Sequence, residues 1–240
     1  MTATVEAGQA LRLVGTPHRM VLIGEIPGES VDWRLVLSDE LAAYGPGRLV
    51  PLRARQRKAS PPRARLAPTT PPGAYAARLE TEGHSHELTV EVAPAPRLRI
   101  VPASIRLSAP PGGTASAKAV LTNRGNTTFA VPSYLMVGLY DDDGIEFAFA
   151  DTYRQNQDNA EKLFGHWLKK LREGYGGMLR LEVTEGAGSL GPGAARLLSF
   201  TGQLPQTLKS RHGYHGFWTL ETSNILIEVS MQRHENGASS

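Results

Sequence analysis

One short phrase occurs twice in this chain, as Leu-Arg-Leu-Val at 11–14 and as Leu-Arg-Ile-Val at 98–101. Each copy is followed by a polar run, a Pro-Gly pair and an apolar stretch that ends in Val-Leu. These pairs recur at the same spacing, as Pro27-Gly28, Pro111-Gly112, Val36-Leu37 and Val120-Leu121. A repeat that keeps turn residues and apolar stretches in one order predicts a duplicated β-domain.

The residues around the repeat predict strands. Short stretches of alternating apolar residues are separated by turn residues, and the 25 glycines and 17 prolines are scattered along the chain. A chain of 240 residues has room for two domains of ordinary size. We therefore predict an all-β protein of two tandem antiparallel β-sandwiches, which occupy residues 10–94 and 97–232 and are joined by the stiff junction Pro94-Ala95-Pro96.

The second copy is predicted to be the longer one. The closing hairpins of the two copies echo each other, because Leu79-Glu80-Thr81 returns as Leu220-Glu221-Thr222. The additional residues lie at about 140–204. They include a helix at about 158–173 whose apolar residues recur at i, i+3 and i+4 spacing. We therefore predict a helix-containing insertion in the second sandwich.

Two motifs carry a family resemblance. One is a strand that ends in Leu-Thr-Asn-Arg-Gly-Asn at 121–126, and the other is a late Gly-x-Tyr before alternating strands. Together with the Pro-Gly turns they are similar to bacterial immunoglobulin-like modules, and Leu98–Pro132 especially resembles the PapD-like group of sandwiches. The resemblance implies modules that bind or space other proteins, or in some cases glycans. It also implies an alternative as a peptide-binding protein like the pilus chaperones, which share a two-sandwich plan.

The candidate catalytic and ligand-binding motifs each have a structural explanation. Gly186-x-Gly188-x-x-Gly191 matches a dinucleotide fingerprint but lacks the β-α-β context, so it predicts a loop. Asp141–Gly144 predicts a hairpin turn before Phe147 rather than a calcium loop. His84 and His86 share a strand face, but no third ligand lies nearby in the sequence. Because the chain also has no cysteine, we predict a non-enzyme with no catalytic residue, metal site or cofactor.

One stretch of the first module is strongly basic. No acidic residue lies between Glu40 and Glu80, so this stretch has a positive field that attracts an acidic protein, a nucleic acid or lipid headgroups. No aromatic residue lies within 48–65, which disfavours nucleic acid because single-strand recognition relies on base stacking. The predicted contact residues for an anionic surface are Arg53, Arg55, Arg57, Lys58, Arg63 and Arg65.

The predicted helix offers a second contact surface. Its apolar face packs on its own sandwich, meets a neighbouring subunit or rests on a membrane surface. The predicted partner-binding residues are Phe164, Trp167, Leu168 and Lys169. The whole pattern favours a non-catalytic structural or adaptor protein that binds other protein subunits in a larger assembly. A carbohydrate-binding module is the alternative, with an aromatic platform of Tyr214, Phe217 and Trp218.

The N-terminal residues bear on the compartment. They contain neither the basic region nor the apolar region of a signal peptide. No apolar run approaches the roughly 20 residues of a membrane span. The absence of cysteine fits a reducing compartment. We therefore expect a soluble cytoplasmic protein, or a secreted one if a signal peptide has been removed.

Overall fold

The protein is mostly β. The computed structural model describes residues 11–24, 34–50, 63–81, 84–141, 144–154, 159–209, 213–221 and 223–231. Strands make up 57% of these described residues. The chain divides into two compact units. The first takes in the chain up to Arg97 together with Asn123–Phe129 and Gly191–Gly193, and the second takes in Leu98–Thr122, Ala130–Leu190 and the chain from Ala194.

The first unit is built on one seven-stranded sheet and a short helix. The elements are β1 (Arg12–Thr16), β2 (Arg19–Ile23), β3 (Arg34–Leu37), α1 (Asp39–Ala42), β4 (Arg48–Val50), β5 (Arg63–Arg65), β6 (Gly73–Thr81) and β7 (His84–Val92). The strand order is β3-β6-β7-β1-β2-β5-β4. β1 lies inside this sheet because it pairs in parallel with β7 and antiparallel with β2. Leu13, Met20 and Val90 are fully buried and form part of the core with Leu41 of α1.

The second unit contains an eight-stranded sheet and two helices. The elements are β8 (Leu98–Val101), β9 (Ser104–Ala109), β10 (Thr114–Asn123), β11 (Phe129–Val131), β12 (Tyr134–Asp141), α2 (Gly144–Arg154), α3 (Ala160–Gly174), β13 (Tyr175–Glu185), β14 (Gly188–Leu190), β15 (Ala195–Gln203), β16 (Tyr214–Leu220) and β17 (Ser223–Met231). The sheet order is β8-β10-β15-β13-β12-β16-β17-β9, and β11 pairs separately with β14. Phe200 and Trp218 meet edge to face in the core, with their ring centroids 5.9 Å apart.

The two units share one structural kernel. In the first unit β1 runs parallel to the last strand, β7, and Leu13 pairs with Val90. In the second unit β9 runs parallel to the last strand, β17, and Leu107 pairs with Val229. Each last strand forms a hairpin with the strand before it, and in both hairpins a buried tyrosine lies opposite the equivalent valine, Tyr75 opposite Val90 and Tyr214 opposite Val229. The Tyr75 hydroxyl donates to the Pro71 carbonyl over 2.9 Å, and the Tyr214 hydroxyl accepts from the Lys209 amide over 3.0 Å.

A charged pair accompanies this kernel in each unit. Arg12 of β1 forms an ion pair with Glu91 of β7, and the Arg106 Nε atom donates to Glu228 over 2.7 Å. The Arg106 hydrogen bond and that of the Ser104 hydroxyl lower the pKa of the Glu228 carboxyl. The sequence similarity between the two closing hairpins therefore has a structural counterpart. The structurally equivalent residues are offset by two positions from those that the sequence aligns, because Tyr75 corresponds to Tyr214 whereas the sequence aligns Leu79 with Leu220. A shift of two keeps each side chain on its own face of the sheet.

The doubled phrase at 11–14 and 98–101 has no such counterpart. Residues 11–14 lead into β1, which pairs with β2 and β7, whereas residues 98–101 form β8, an edge strand that pairs with β10. The structural equivalent of Arg12 is Arg106 of β9, because Leu13 and Leu107 oppose equivalent valines. The prediction that these two phrases are equivalent is therefore wrong. Pro27-Gly28 lies outside the described residues.

The structure divides the predicted insertion at 140–204 into two parts. The helices α2 and α3 lie between β12 and β13, which are neighbours in the sheet. The residues after α3 form β13 and β15 of this sheet, with β14 between them in the chain. Phe147 lies in α2, so the predicted hairpin turn before it is wrong. Alternating apolar residues at 145–149 resemble a strand, but Ala148 and Thr152 at i, i+4 spacing are the buried positions of a helix.

The junction at Pro94-Ala95-Pro96 is held by a turn within the first unit. The Asn126 side chain accepts a hydrogen bond from the Ala95 amide over 2.6 Å and donates one to the Ala93 carbonyl over 3.0 Å. Asn126 is 2% exposed. A Cβ at Gly125 would lie only 2.4 Å from the Ala95 carbonyl oxygen, so the close approach requires glycine. The Asn-Arg-Gly-Asn turn at 123–126 thus binds the junction.

Candidate functional site

The helices α2 and α3 form a pair, and α2 is the helix of this pair that contacts the sheet. It contacts β12 and buries Ala148 and Thr152. The Thr152 hydroxyl donates to the Ala148 carbonyl over 2.6 Å, so this buried hydroxyl has a hydrogen-bond partner. Its other side presents Phe149 and Tyr153 at i, i+4 spacing, with exposed fractions of 46% and 71%. Sequence reasoning missed both residues because it missed the helix.

The helix α3 packs chiefly against α2. It begins after Asn159, whose side-chain oxygen accepts from the amides of Glu161 and Lys162 over 2.8 and 3.4 Å. Residue 158, where the predicted helix begins, lies outside the described residues. None of the fifteen residues of α3 is buried. A surface helix normally buries its apolar stripe, so α3 differs from a helix that belongs to a core.

The two helices bring three aromatic side chains together. The Trp167 ring lies 4.9 Å from Phe149 and 5.5 Å from Phe164 between centroids, and we call these three residues the aromatic cluster. The indole Nε1 atom of Trp167 is buried and has no hydrogen-bond partner among the described residues. Phe164 is 54% exposed. The cluster therefore joins the helices through Trp167 and leaves much apolar area facing outward.

An ionic network supports the contact between the helices. Asp151 of α2 lies 3.1 Å from the Nε2 atom of His166 and 3.7 Å from the Nζ atom of Lys170. Lys170 also lies 3.4 Å from Glu173. The His166 hydrogen bond, with a smaller contribution from the Lys170 charge, lowers the pKa of the Asp151 carboxyl from its ordinary value.

The Asp151 network predicts an acid-sensitive helix pair. A lowered pKa means that the folded state favours the charged carboxylate, so the stabilisation is present above the ordinary pKa and is lost as the pH falls through the lowered one. Thermal unfolding followed by helical circular dichroism between about pH 3 and pH 6 should show this loss. Asp151→Asn should show a smaller dependence. If the two proteins lose helical signal in parallel on acidification, Asp151 is not the responsible group.

The side of α3 that points away from α2 forms an exposed face. Glu161, Phe164, Gly165, Leu168 and Arg172 recur at i, i+3, i+4, i+7 and i+11 spacing, and all five are exposed. We call these five residues the α3 outer face. An open groove of about 470 Å³ runs along it, lined by Gly165, Leu168, Lys169, Arg172 and Glu173. Three of the predicted helix residues therefore lie on or beside this face, whereas Trp167 lies toward α2.

The predicted basic patch is only partly described. Arg53, Arg55, Arg57 and Lys58 lie outside the described residues. Arg63 and Arg65 are exposed on β5, on either side of the buried Ala64. Arg65 is directly opposite Arg48 in the pairing with β4. Like charges in directly opposed positions destabilise a strand pair, and neither Arg63 nor Arg65 forms an ion pair within the part of the chain that the structure describes.

The predicted aromatic platform for a carbohydrate does not form. Tyr214 and Trp218 point into the core, with exposed fractions of 4% and 6%, whereas Phe217 between them is 58% exposed. Successive side chains of a strand point to opposite faces, so β16 separates the three rings. The proposed platform of Tyr214, Phe217 and Trp218 is therefore wrong.

The remaining motifs form no convergent site. Gly186 and Gly188 have positive φ angles and lie in a turn leading into β14, and the Arg196 guanidinium donates to the carbonyls of Gly186, Ala187 and Ser189. The turn is followed by β14 and not by a helix whose N-terminus could hold a pyrophosphate. The rings of His84 and His86 stack, with centroids 6.5 Å apart. Within the described ranges, no group of three or more histidine or carboxylate side chains is arranged to hold a metal ion.

Comparisons with known proteins identify no family. No family model and no curated protein matches the chain. Among solved structures, PapD-like domain 7 of human CEP192 is 16% identical, with 57% of this chain and 87% of that chain covered at a TM-score of 0.30. A Porphyromonas gingivalis W83 protein of unknown function is 12% identical, with coverage of 95% and 98% at 0.30. Domains 4 and 5 of the S-layer protein SbsC are 11% identical, with coverage of 89% and 83% at 0.29. Likenesses at these TM-scores carry no assignment of fold or function.

Among the described residues, no helix is long and apolar enough to cross a membrane.

Proposed function

We propose that this chain is a non-catalytic adaptor protein, which binds another protein through the outward side of its α2–α3 helix pair. The observation that carries the proposal is the exposure of α3, a fifteen-residue helix without a buried residue. Phe149, Phe164 and Leu168 leave 46%, 54% and 37% of their surface exposed. Exposed apolar side chains that form one contiguous patch are typical of a protein–protein contact.

We further propose that each unit is an immunoglobulin-like sandwich, the second with the helix pair inserted between β12 and β13. The support is the kernel that the units share. A buried tyrosine at the start of the penultimate strand, with its hydroxyl bonded to the backbone a few residues upstream, is characteristic of immunoglobulin-like sandwiches. Tyr75 and Tyr214 have this arrangement. In this architecture the helix pair is an addition between two strands that pair directly with each other in the sheet.

The energetics favour Phe164 as the main contact residue. Full burial of a phenylalanine side chain contributes about 1.5 to 3 kcal/mol relative to exposure. Phe164 has more than half of its area still to bury, and it is supported from one side by Trp167. A partly supported ring needs little reordering on binding, so it loses little side-chain entropy. The exposed Lys169 beside it adds a charge at the rim.

The binding role is tested with Phe164→Ala. Partners are first captured from the native host with the wild-type chain, and the purified partner is then titrated by calorimetry. We expect Phe164→Ala to weaken binding by about 30-fold or more, as for a central interface residue, while thermal unfolding shifts little because the ring is exposed. Phe217→Ala is the matched control, since Phe217 is similarly exposed but lies on β16. Equal affinities for wild type and Phe164→Ala would remove the helix pair from the function.

The same titration tests the basic surface. We propose that Arg63 and Arg65, with Arg53, Arg55, Arg57 and Lys58, contact an anionic part of the partner. The unbalanced arginines of β5 support this, because an anion would relieve their repulsion. Binding should then weaken between low and high salt, and Arg63→Glu with Arg65→Glu should reduce this dependence. An unchanged salt response would show that these two arginines do not contribute.

A further inference from the structure

We infer that the α3 outer face binds the same face of a second copy of this chain, with the two α3 helices antiparallel. The inference rests on the proposed function, because it names the partner of the helix pair. Two copies related by a twofold axis must present a self-complementary surface, in which each feature and its complement lie equally far from the axis. The α3 outer face satisfies this condition.

The spacing of the face places its centre between His166 and Trp167. Glu161 and Arg172 lie five and a half positions on either side of this centre, which corresponds to about 8 Å along a helix axis. Gly165 and Leu168 lie one and a half positions on either side. In an antiparallel pair about this centre, Glu161 therefore opposes Arg172 of the second copy, and Gly165 opposes its Leu168.

The shapes fit in the same arrangement. A Cβ built at Gly165 would have no atom within 4 Å, so the helix has a notch at this position. The groove of about 470 Å³ begins at this notch. Leu168, which is 37% exposed, supplies the side chain that enters the notch of the opposite helix.

The charges of the α3 outer face are also complementary in this arrangement. Neither Glu161 nor Arg172 forms a side-chain ion pair within the described residues, whereas the α2 side of the helix is occupied by the Asp151 network. In the antiparallel pair each Glu161 meets one Arg172, which gives two ion pairs at the rim. A contact of one helix from each copy buries less than the about 800 Å² per partner of a standard interface. We therefore expect a weak, concentration-dependent dimer.

The first test measures oligomeric state with the full chain. Sedimentation equilibrium over a concentration series should show a monomer–dimer equilibrium for the wild type, with a micromolar dissociation constant. Gly165→Gln fills the notch with a long side chain and is expected to weaken the dimer at least about tenfold. Because glutamine has a higher helix propensity than glycine, the monomer should keep or gain helical signal. Lys162→Gln, on another side of α3, is the control and should leave dimerisation unchanged.

The second test exchanges the rim charges. Glu161→Lys and Arg172→Glu should each weaken the dimer about threefold to tenfold, since each places like charges opposite one another. The double variant restores opposite charges and should return to near wild-type affinity. Such recovery is expected only if the two positions face each other across the twofold axis. A double variant as weak as the sum of the single variants would overturn the antiparallel arrangement.

The outcomes separate this inference from the proposed function. A wild-type chain that stays monomeric throughout the series overturns the inference, and so does a dimer that is insensitive to Gly165→Gln. In either case the adaptor function stands if another protein binds through Phe164. If Phe164→Ala affects neither dimerisation nor partner binding, both proposals fall.

Discussion

Replacing Asn126 with alanine should lower the free energy of unfolding by about 2 to 3 kcal/mol. The side chain bonds to the Ala95 amide and the Ala93 carbonyl, and it is almost completely buried. Alanine would leave both backbone groups without this partner in a position that water reaches poorly. The Asn126 amide also donates to the Ala95 carbonyl over 3.3 Å and the Arg124 amide to the Arg97 carbonyl over 2.7 Å, and these two backbone bonds would still connect the turn to the junction. Urea unfolding measures the change as a lower midpoint with an unchanged slope.

The control for this prediction is an asparagine on the surface. Asn224 of β17 is exposed and accepts one hydrogen bond from the Thr219 hydroxyl. Asn224→Ala should therefore change the free energy of unfolding by no more than about 0.5 kcal/mol. Equal effects of Asn126→Ala and Asn224→Ala would mean that the turn does not stabilise the junction.

Replacing Gly216 with alanine should destabilise the second unit by about 3 kcal/mol or more. Gly216 is buried in β16, and a Cβ there would lie 2.4 Å from both the Gly138 carbonyl oxygen and the Val137 Cγ1 atom of β12. Backbone atoms cannot move away without separating β12 from β16. These strands are joined at Tyr140 and Asp141, which lie immediately before the helix pair. Thermal unfolding should show the loss directly.

The same substitution at Gly165 is the matched control and should have the opposite sign. A Cβ at Gly165 meets no atom, and alanine has a higher helix propensity than glycine. Gly165→Ala should therefore stabilise the protein by about 0.5 to 1 kcal/mol, measured at a low concentration where the chain is monomeric. Gly216→Ala with stability close to wild type would show that β12 and β16 do not approach as closely as described.

The candidate site could be predicted from the sequence only in part. The helix at 158–173 follows from the i, i+3, i+4 spacing of its apolar residues, and the structure places α3 at Ala160–Gly174. That spacing identifies Phe164 and Leu168 as members of an apolar stripe. It does not reveal which side of the stripe α2 covers, because the sequence predicts a hairpin turn where α2 lies. The contact between Phe149 and Trp167 joins residues of two helices, so neither local pattern contains it.

The aromatic residues of β16 and the basic stretch could likewise be predicted from the sequence only in part. Alternation along β16 predicts that Phe217 and its neighbours point to opposite faces, yet only the position of the core shows that Phe217 is the exposed residue. The run of arginines predicts a positive field whatever the fold. The opposition of Arg48 and Arg65 depends on strand register, which arises from pairing between segments distant in sequence.

The sequence by itself determined that the protein is mostly β, that its two halves end in similar hairpins and that a basic stretch and an amphipathic helix depart from this frame. These properties follow from local patterns of apolar, turn and charged residues. The tertiary structure alone decided which repeats are equivalent, because Arg12 corresponds to Arg106 through pairing with the last strands rather than through the doubled phrase. It also decided that α3 presents Phe164, Gly165 and Leu168 outward. Burial depends on contacts between distant segments, and local periodicity does not specify those contacts.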